Sequence, residues 1–157
     1  MRILLAVLLV LTMAPAGYGE IVTQAVPYQQ RDTALEGYLA YDDAVQGKRP
    51  GVLVVHAWWG LNDFAKKAAE RVAKLGYVAL AVDMYGKGKV TQKPEEAGLW
   101  AGQVKGTPLI RERARAGLEV LAKQDLVDPQ RLAAMGFCFG GTTVLELAYS
   151  GADVRGV

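Results

Sequence analysis

Two short, continuously apolar runs enclose an amphipathic segment, and this pattern constrains the fold more than any other feature of the chain. The runs Gly51–Val55 and Tyr77–Val82 have the composition of strands that are buried on both faces of a sheet. Between them, apolar residues recur at helical spacing from residue 62 to residue 75. The expected inner face of that helix is Phe64, Ala68, Val72 and Leu75. A strand, a helix and a second strand in this order predict a βαβ unit and therefore a parallel sheet.

The flanking segments extend the same arrangement. Glu20–Tyr28 and Ala34–Tyr41 show partial alternation and predict an antiparallel pair at the edge of the sheet. The elements predicted downstream are helices over Pro94–Val104, from Thr107 or Pro108 to about Gln124 and over Thr142–Tyr149, with strands over Arg131–Met135 and from Val154. The last strand stops at Val157, which would leave a sheet edge without its neighbour. We therefore expect an α/β fold with a mostly parallel sheet, helices on both faces, and a truncated C-terminus.

The first nineteen residues have the composition of a signal peptide. Arg2 is a short positive region, the apolar run Ile3–Met13 follows it, and Ala14-Pro15-Ala16 or Gly17-Tyr18-Gly19 offers a cleavage site. The run is about half the length that spans a bilayer. A buried N-terminal helix is the alternative. The pattern predicts an exported protein, periplasmic or secreted, without a membrane span after the signal is removed.

Length and charge narrow the classes of partner. The 157 residues predict one domain, here residues 20–157 after the signal. The net charge is +2, and the basic residues are scattered rather than arranged in a stripe with aromatic residues. Nucleic acid is therefore not an expected partner. The oligomeric state does not follow from the sequence.

The strongest local motif is Gly136-Phe137-Cys138-Phe139-Gly140-Gly141, which lies between a predicted strand and a predicted helix. In this context the motif predicts a nucleophile elbow, a tight turn that holds its central side chain above the sheet. A helix N-terminus favours a thiolate, and the N–H of Phe139 would face an oxyanion on the attacked carbonyl. The alternative is a buried structural cysteine. A redox role is disfavoured because Cys138 is the only cysteine and has no resolving partner.

Two further motifs accompany the elbow. One is Val54-Val55-His56-Ala57-Trp58-Trp59-Gly60-Leu61-Asn62, which leaves the first buried strand, and the other is Ala81-Val82-Asp83-Met84-Tyr85-Gly86. With the elbow, in this order and spacing from about Leu35 onward, they make the chain resemble the dienelactone hydrolase family of α/β-hydrolases.

The resemblance implies an activity and a set of site residues. It implies hydrolysis of a small ester or lactone through an acyl-thiol intermediate on Cys138, without a metal or other cofactor. The backbone N–H groups of Trp58 and Phe139 would form the oxyanion hole. Lys87 lies near the position at which the family carries a positively charged residue that binds a substrate carboxylate. Lys87 and Lys89 are equally consistent with a solvated loop. Trp58 and Trp59 either line an apolar pocket or cover the end of the sheet.

Two departures from the family pattern bear on activity. Ala57 stands where the family often carries a glutamate that interacts with the resting nucleophile. The family's acid and histidine follow the nucleophile, but the nineteen residues after Cys138 contain no histidine, and Glu146 and Asp153 are their only acids. His56, the single histidine, belongs to the oxyanion loop, so a structural or loop-ordering role is expected for it. The chain as written is therefore expected to be nearly inactive, and a non-catalytic binding module or a non-functional fragment is the alternative.

Overall fold

The computed structural model describes residues 19–157, which form five strands and four helices. The predicted signal peptide lies almost wholly outside the described residues. The strands are β1 (Ile21–Gln30), β2 (Thr33–Asp42), β3 (Arg49–Val55), β4 (Val78–Val82) and β5 (Val127–Gly136). The helices are α1 (Asp63–Ala73), α2 (Pro94–Val104), α3 (Leu109–Ala122) and α4 (Phe139–Tyr149).

The strands form one sheet in the order β1-β2-β4-β3-β5. β3 pairs in parallel with both β4 and β5, whereas β1 and β2 form an antiparallel hairpin that joins the sheet along β4. The predicted βαβ unit is therefore confirmed as β3-α1-β4, and so is the antiparallel edge. Because the carboxyl ends of β3, β4 and β5 lie at the same edge, the loops that follow them meet there.

Side chains on the central strands alternate between two unequal faces. Leu53, Val55 and Leu80 point towards the side covered by α3 and α4. On the opposite face small residues of the sheet, such as Ala79 and Ala81, meet the alanines of α1. Helices thus cover both faces of the sheet, as the sequence predicts.

The inner face predicted for α1 is only partly correct. Ala65, Ala68, Ala69 and Ala73 are buried, whereas Phe64 and Leu75 are 49% and 75% exposed. On this face the alanines of α1 pack against Ala79 and Ala81, and small residues on both sides let the helix approach the sheet closely. Burial therefore follows the alanines of the helix rather than its largest apolar residues.

The elements near the C-terminus begin earlier than predicted or are incomplete. β5 begins at Val127 rather than Arg131, because Arg49 and Pro50 already pair with Val127 and Asp128 and a register shift between Pro50 and Gly51 lets the pairing continue. α4 begins at Phe139 rather than Thr142. The predicted strand from Val154 is not formed, although Arg155 N–H donates to the Leu132 carbonyl at 2.7 Å along β5.

Candidate active site

The turn between β5 and α4 has the backbone geometry of an elbow. Cys138 has φ 55° and ψ −110°, a left-handed conformation that residues with a side chain rarely adopt. Holding a non-glycine residue in such a conformation costs on the order of 1–3 kcal/mol and persists only where the surroundings impose it. The thiol is exposed and stands at the N-terminus of α4.

Two glycines allow the close approach that imposes this conformation. A Cβ on Gly136 would lie 2.2 Å from the carbonyl of Gly140, and a Cβ on Gly140 would lie 2.3 Å from the carbonyl oxygen of Val55. Both clashes are with backbone, which cannot rotate away. Gly141 is different, since a Cβ there would meet its nearest neighbour at 3.6 Å, an ordinary contact.

The thiol opens into a pocket of about 280 Å³. The lining residues come from the loop after β3, from the end of α2 and from the elbow: Trp58, Ala101, Lys105, Cys138, Phe139 and Thr142. Lys105, the residue after α2, brings a positive charge to this pocket, although no sequence motif marks it. Its only sequence signal was its place at the end of a predicted helix, which says nothing about its distance from Cys138.

The N–H groups expected in the oxyanion hole belong to two residues that line this pocket. Among residues 19–157, the Trp58 N–H donates to no backbone carbonyl. The Phe139 N–H is in the first turn of α4, where the helix itself offers no acceptor. Within residues 19–157 neither N–H therefore has a backbone acceptor, and both residues line the pocket beside Cys138.

His56 is fully buried beneath this loop, and both of its ring nitrogens are engaged. The Met84 N–H donates to Nε2 at 3.1 Å, so Nε2 carries no proton and Nδ1 must carry it. Nδ1 then donates to the Ala57 carbonyl at 2.5 Å. Burial lowers the pKa of His56 to about 4, although the hydrogen bond to Ala57 and the charge of Asp83 oppose the shift. The imidazole is neutral at pH 7 and has no free nitrogen to accept a proton from a thiol.

The loop after β4 brings Tyr85 to the same place. Asp83 accepts hydrogen bonds from the N–H groups of Tyr85 and Gly86 at 2.8 and 3.0 Å, which fixes the start of the loop. The Tyr85 hydroxyl donates to the Trp58 carbonyl at 3.2 Å. Burial raises the pKa of Tyr85, and the neighbouring Cys138 and Asp83 raise it further, so the hydroxyl keeps its proton. In the sequence Tyr85 is marked only as a member of the motif that follows β4, and that motif does not predict its contact with the loop after β3.

The other predicted site residues lie elsewhere. Lys87 forms an ion pair with Glu36 at 2.7 Å, is largely exposed and does not line the pocket beside Cys138, so its substrate role stays a prediction. Of the two aromatic residues, Trp58 lines that pocket, whereas Trp59 lines a separate one. Glu146 pairs with Arg111 at 2.7 Å, and Asp153 is exposed beyond α4.

Two kinds of feature are absent from the part of the chain that the structure describes. No group of three or more His, Cys, Asp or Glu side chains within residues 19–157 is placed to hold a metal ion. No helix in the same range is long and apolar enough to cross a membrane.

The sheet order, the helices on both faces and the strand–elbow–helix turn are those of an α/β-hydrolase. The chain belongs to the dienelactone hydrolase family, whose model matches residues 35–157. It is similar to a protein of Aquifex aeolicus that is provisionally named a carboxymethylenebutenolidase, with 29% identity over 130 residues, or 80% of this chain and 54% of that protein.

Two solved structures carry the same fold at higher identity. A protein named m3DLH is 43% identical, with a TM-score of 0.83, and the match covers 87% of this chain and 57% of that one. A dienelactone hydrolase-like promiscuous phosphotriesterase from metagenomic libraries is 40% identical, with a TM-score of 0.82 and the same coverage. This chain thus spans little more than half the length of these relatives.

Proposed function

We propose that this chain carries the nucleophile and the oxyanion hole of a hydrolase that cleaves small esters or lactones through Cys138. The observation that carries the proposal is the strained, exposed Cys138 at a helix N-terminus, in one pocket with Trp58 and Phe139. A buried structural cysteine, the alternative from the sequence, would have no reason to occupy a left-handed conformation with its sulfur in solvent.

The proposed chemistry proceeds in two steps. The Cys138 thiolate attacks the carbonyl carbon, a carbon–sulfur bond forms, and the π electrons of the carbonyl move onto its oxygen. The N–H groups of Trp58 and Phe139 stabilise that oxyanion, and one such donor contributes roughly 3 kcal/mol in well-studied enzymes. The intermediate then collapses, the bond from carbon to the alkoxy oxygen breaks, and the alcohol leaves after taking up a proton. Hydrolysis of the acyl-thiol by water completes the cycle.

The second step needs a general base that the described residues do not offer. His56 is the single histidine of the chain, and both of its nitrogens are occupied by backbone partners. Positioned bases contribute on the order of 10²–10⁴ in rate. We therefore expect this chain to acylate Cys138 once and to release the acyl group slowly, so that turnover is close to absent.

A single-turnover experiment tests the proposal. The purified chain is mixed with p-nitrophenyl acetate, and release of p-nitrophenolate is followed together with the mass of the protein. We expect a burst that approaches one equivalent, an acetyl group on Cys138, and very slow release afterwards. Cys138→Ala should abolish the burst, while His56→Gln, if folded, should keep some of it. A burst that survives in Cys138→Ala would refute the nucleophile role.

The second candidate is a binding module that keeps the hydrolase scaffold without chemistry. It is favoured by the buried state of His56 and by Ala57 in place of the family's frequent glutamate. The same experiment separates the two candidates. If the chain is a binding module, Cys138 should be acylated no faster than N-acetylcysteine under the same conditions. If the chain carries the nucleophile and the oxyanion hole of a hydrolase, acylation of Cys138 should be faster.

We also propose export through residues 1–19, on the strength of their charge and apolar pattern alone. Expression of the chain with a C-terminal tag in a Gram-negative host, followed by fractionation, tests this. We expect a periplasmic product shortened near residue 16 or residue 19. A full-length product that stays in the cytoplasm would contradict the proposal.

A further inference from the structure

Two buried side chains, those of His56 and Tyr85, hold the loop after β3. His56 contacts the Ala57 carbonyl, and the Tyr85 hydroxyl contacts the Trp58 carbonyl. These two carbonyls belong to the two peptide units on either side of the Trp58 Cα. Both backbone dihedrals of Trp58 are thereby restrained by side chains from outside its own peptide units.

The direction of the Trp58 N–H follows from the first of these contacts. A planar trans peptide points its C=O and its N–H in opposite directions, and no described peptide bond is cis. Because the Ala57 carbonyl is turned down onto Nδ1 of His56, the Trp58 N–H of the same peptide unit must point away from the imidazole. Trp58 lines the pocket that contains Cys138, whereas His56 does not.

The imidazole is itself held in one orientation and one tautomer. Met84 has only an N–H to offer, so Nε2 of His56 can only accept, and the single proton is left on Nδ1. The ring also stands edge-on to Tyr85 at 4.9 Å between centroids and nearly parallel to Phe139 at 5.9 Å. A rotation of the ring would break both hydrogen bonds and this packing together.

Tyr85 connects the same loop to the other half of the oxyanion hole. Its ring packs against Phe139 at 5.4 Å and against Trp100 of α2 at 5.9 Å. Phe139 is the residue whose backbone N–H is the second proposed donor. One side chain therefore contacts the loop that carries one donor and the residue that carries the other.

We infer that His56 and Tyr85 are positioning residues that set the Trp58 peptide so that its N–H points at the oxyanion. This inference rests on the proposed function, since it assigns a task to the proposed oxyanion hole. Neither residue lines the pocket beside Cys138. His56 acts through the Ala57 carbonyl, and Tyr85 acts through the Trp58 carbonyl.

The test compares two reactions of the same sulfur. Acylation of Cys138 by p-nitrophenyl acetate passes through an oxyanion, whereas alkylation by iodoacetamide displaces iodide at a saturated carbon and forms no oxyanion. The ratio of the two rate constants reports the oxyanion hole independently of how exposed or how ionised the thiol is. A role limited to stability would leave this ratio unchanged.

Tyr85→Phe is the principal variant because it removes the hydroxyl and keeps the ring contacts. Removal of a whole oxyanion donor costs about 10²–10³ in rate, so misdirection of one donor should lower the ratio about tenfold. Tyr28→Phe is the matched control, since the Tyr28 hydroxyl also donates to a buried backbone carbonyl, that of Asp83 at 3.0 Å. We expect its ratio to stay within about twofold of the wild type.

A pair of variants at His56 tests the other contact. The side-chain amide of Asn can reach the place of Nδ1 and donate to Ala57, whereas Gln reaches the place of Nε2 instead. His56→Asn should therefore keep more of the ratio than His56→Gln. If neither variant folds, the Tyr85 result decides alone, since Tyr85→Phe changes no packing.

The outcomes separate the two levels of the argument. If the wild type has the same ratio as N-acetylcysteine, the proposed function itself fails. If the wild type has a raised ratio that Tyr85→Phe and Tyr28→Phe leave equal, the proposed function stands and the positioning role is refuted.

Discussion

The loops that leave β5 and β3 stand side by side at the carboxyl edge of the sheet, but they are held in opposite ways. The elbow after β5 is shaped by backbone against backbone, with glycines at 136 and 140 and an exposed Cys138. The loop after β3 is shaped by side chains, with a fully buried His56 bonded at both nitrogens. One loop presents an exposed thiol, whereas in the other the imidazole of His56 is hydrogen-bonded to backbone groups of Ala57 and Met84.

The difference teaches where a reactive group can come from. The exposed thiol depends on close backbone packing, within the elbow at Gly136 and against the end of β3 at Gly140. The loop after β3 depends in addition on the loop after β4, since the Met84 N–H fixes the tautomer of His56 and the Tyr85 hydroxyl holds the Trp58 carbonyl. The elbow after β5 and the loop after β3 should therefore respond differently to substitution.

The largest expected effect concerns the elbow after β5, whose shape depends on backbone packing. Gly140→Ala would place a Cβ 2.3 Å from the Val55 carbonyl oxygen, a contact that only a shift of β3 or α4 can relieve. We expect a loss of about 3 kcal/mol or more in the free energy of unfolding, measured by urea denaturation. Gly141→Ala is the matched control, with a Cβ at 3.6 Å, and should be neutral or stabilising by up to about 1 kcal/mol. Equal losses in the two variants would contradict the backbone explanation.

The next largest effect concerns His56 in the loop after β3, and it is a dependence of the free energy of unfolding on pH. Burial lowers the pKa of His56 from 6.5 to about 4, so the unfolded chain binds a proton there more readily than the folded chain. The stabilisation is complete above about pH 6.5 and is lost as the pH falls towards 4, by up to about 3 kcal/mol.

The measurement is a difference between two proteins, in which the contributions of all other groups cancel. The free energy of unfolding is determined at several pH values for the wild type and for His56→Gln, which cannot take up the proton. We expect the wild type to lose more stability than the variant between pH 6.5 and pH 4. Parallel curves would show that the buried imidazole does not control this dependence.

The smallest expected effect separates the two lysines. Lys105 lines the pocket with Cys138, whereas Lys87 is paired with Glu36 outside it. Lys105→Met should slow acylation by an anionic p-nitrophenyl ester about threefold relative to the neutral acetate ester, because a partly exposed charge contributes under about 1 kcal/mol. Lys87→Met should leave both rates unchanged. The reverse result would support the sequence-based role of Lys87.

Much of the scaffold could be predicted because its signals are local. The apolar runs at 51–55 and 77–82 became β3 and β4, and the edge hairpin formed where alternation predicted it. The inner face of α1 was harder to predict, because it depends on the alanines of the sheet strands on which the helix packs. A helical pattern read alone favours Phe64, whereas the sheet favours Ala65 and Ala69.

The candidate site was predictable only in part, for the same reason. Cys138 follows from its immediate neighbours in the sequence. Tyr85 and Lys105 do not, because each reaches the site from an element more than thirty residues before Cys138, and only packing brings them there. The expected structural place of His56 followed from its position after β3, but its tautomer depends on Met84, which lies in the loop after β4.

The amino-acid sequence by itself determined the order of the strands and helices and the position of the elbow, because hydrophobic periodicity and glycine act over a few residues. Only the tertiary structure decided which side chains surround the thiol and in which direction the Trp58 N–H points. Those choices depend on hydrogen bonds and packing between loops that are distant in the chain, and such contacts exist only once the sheet has brought its carboxyl ends together.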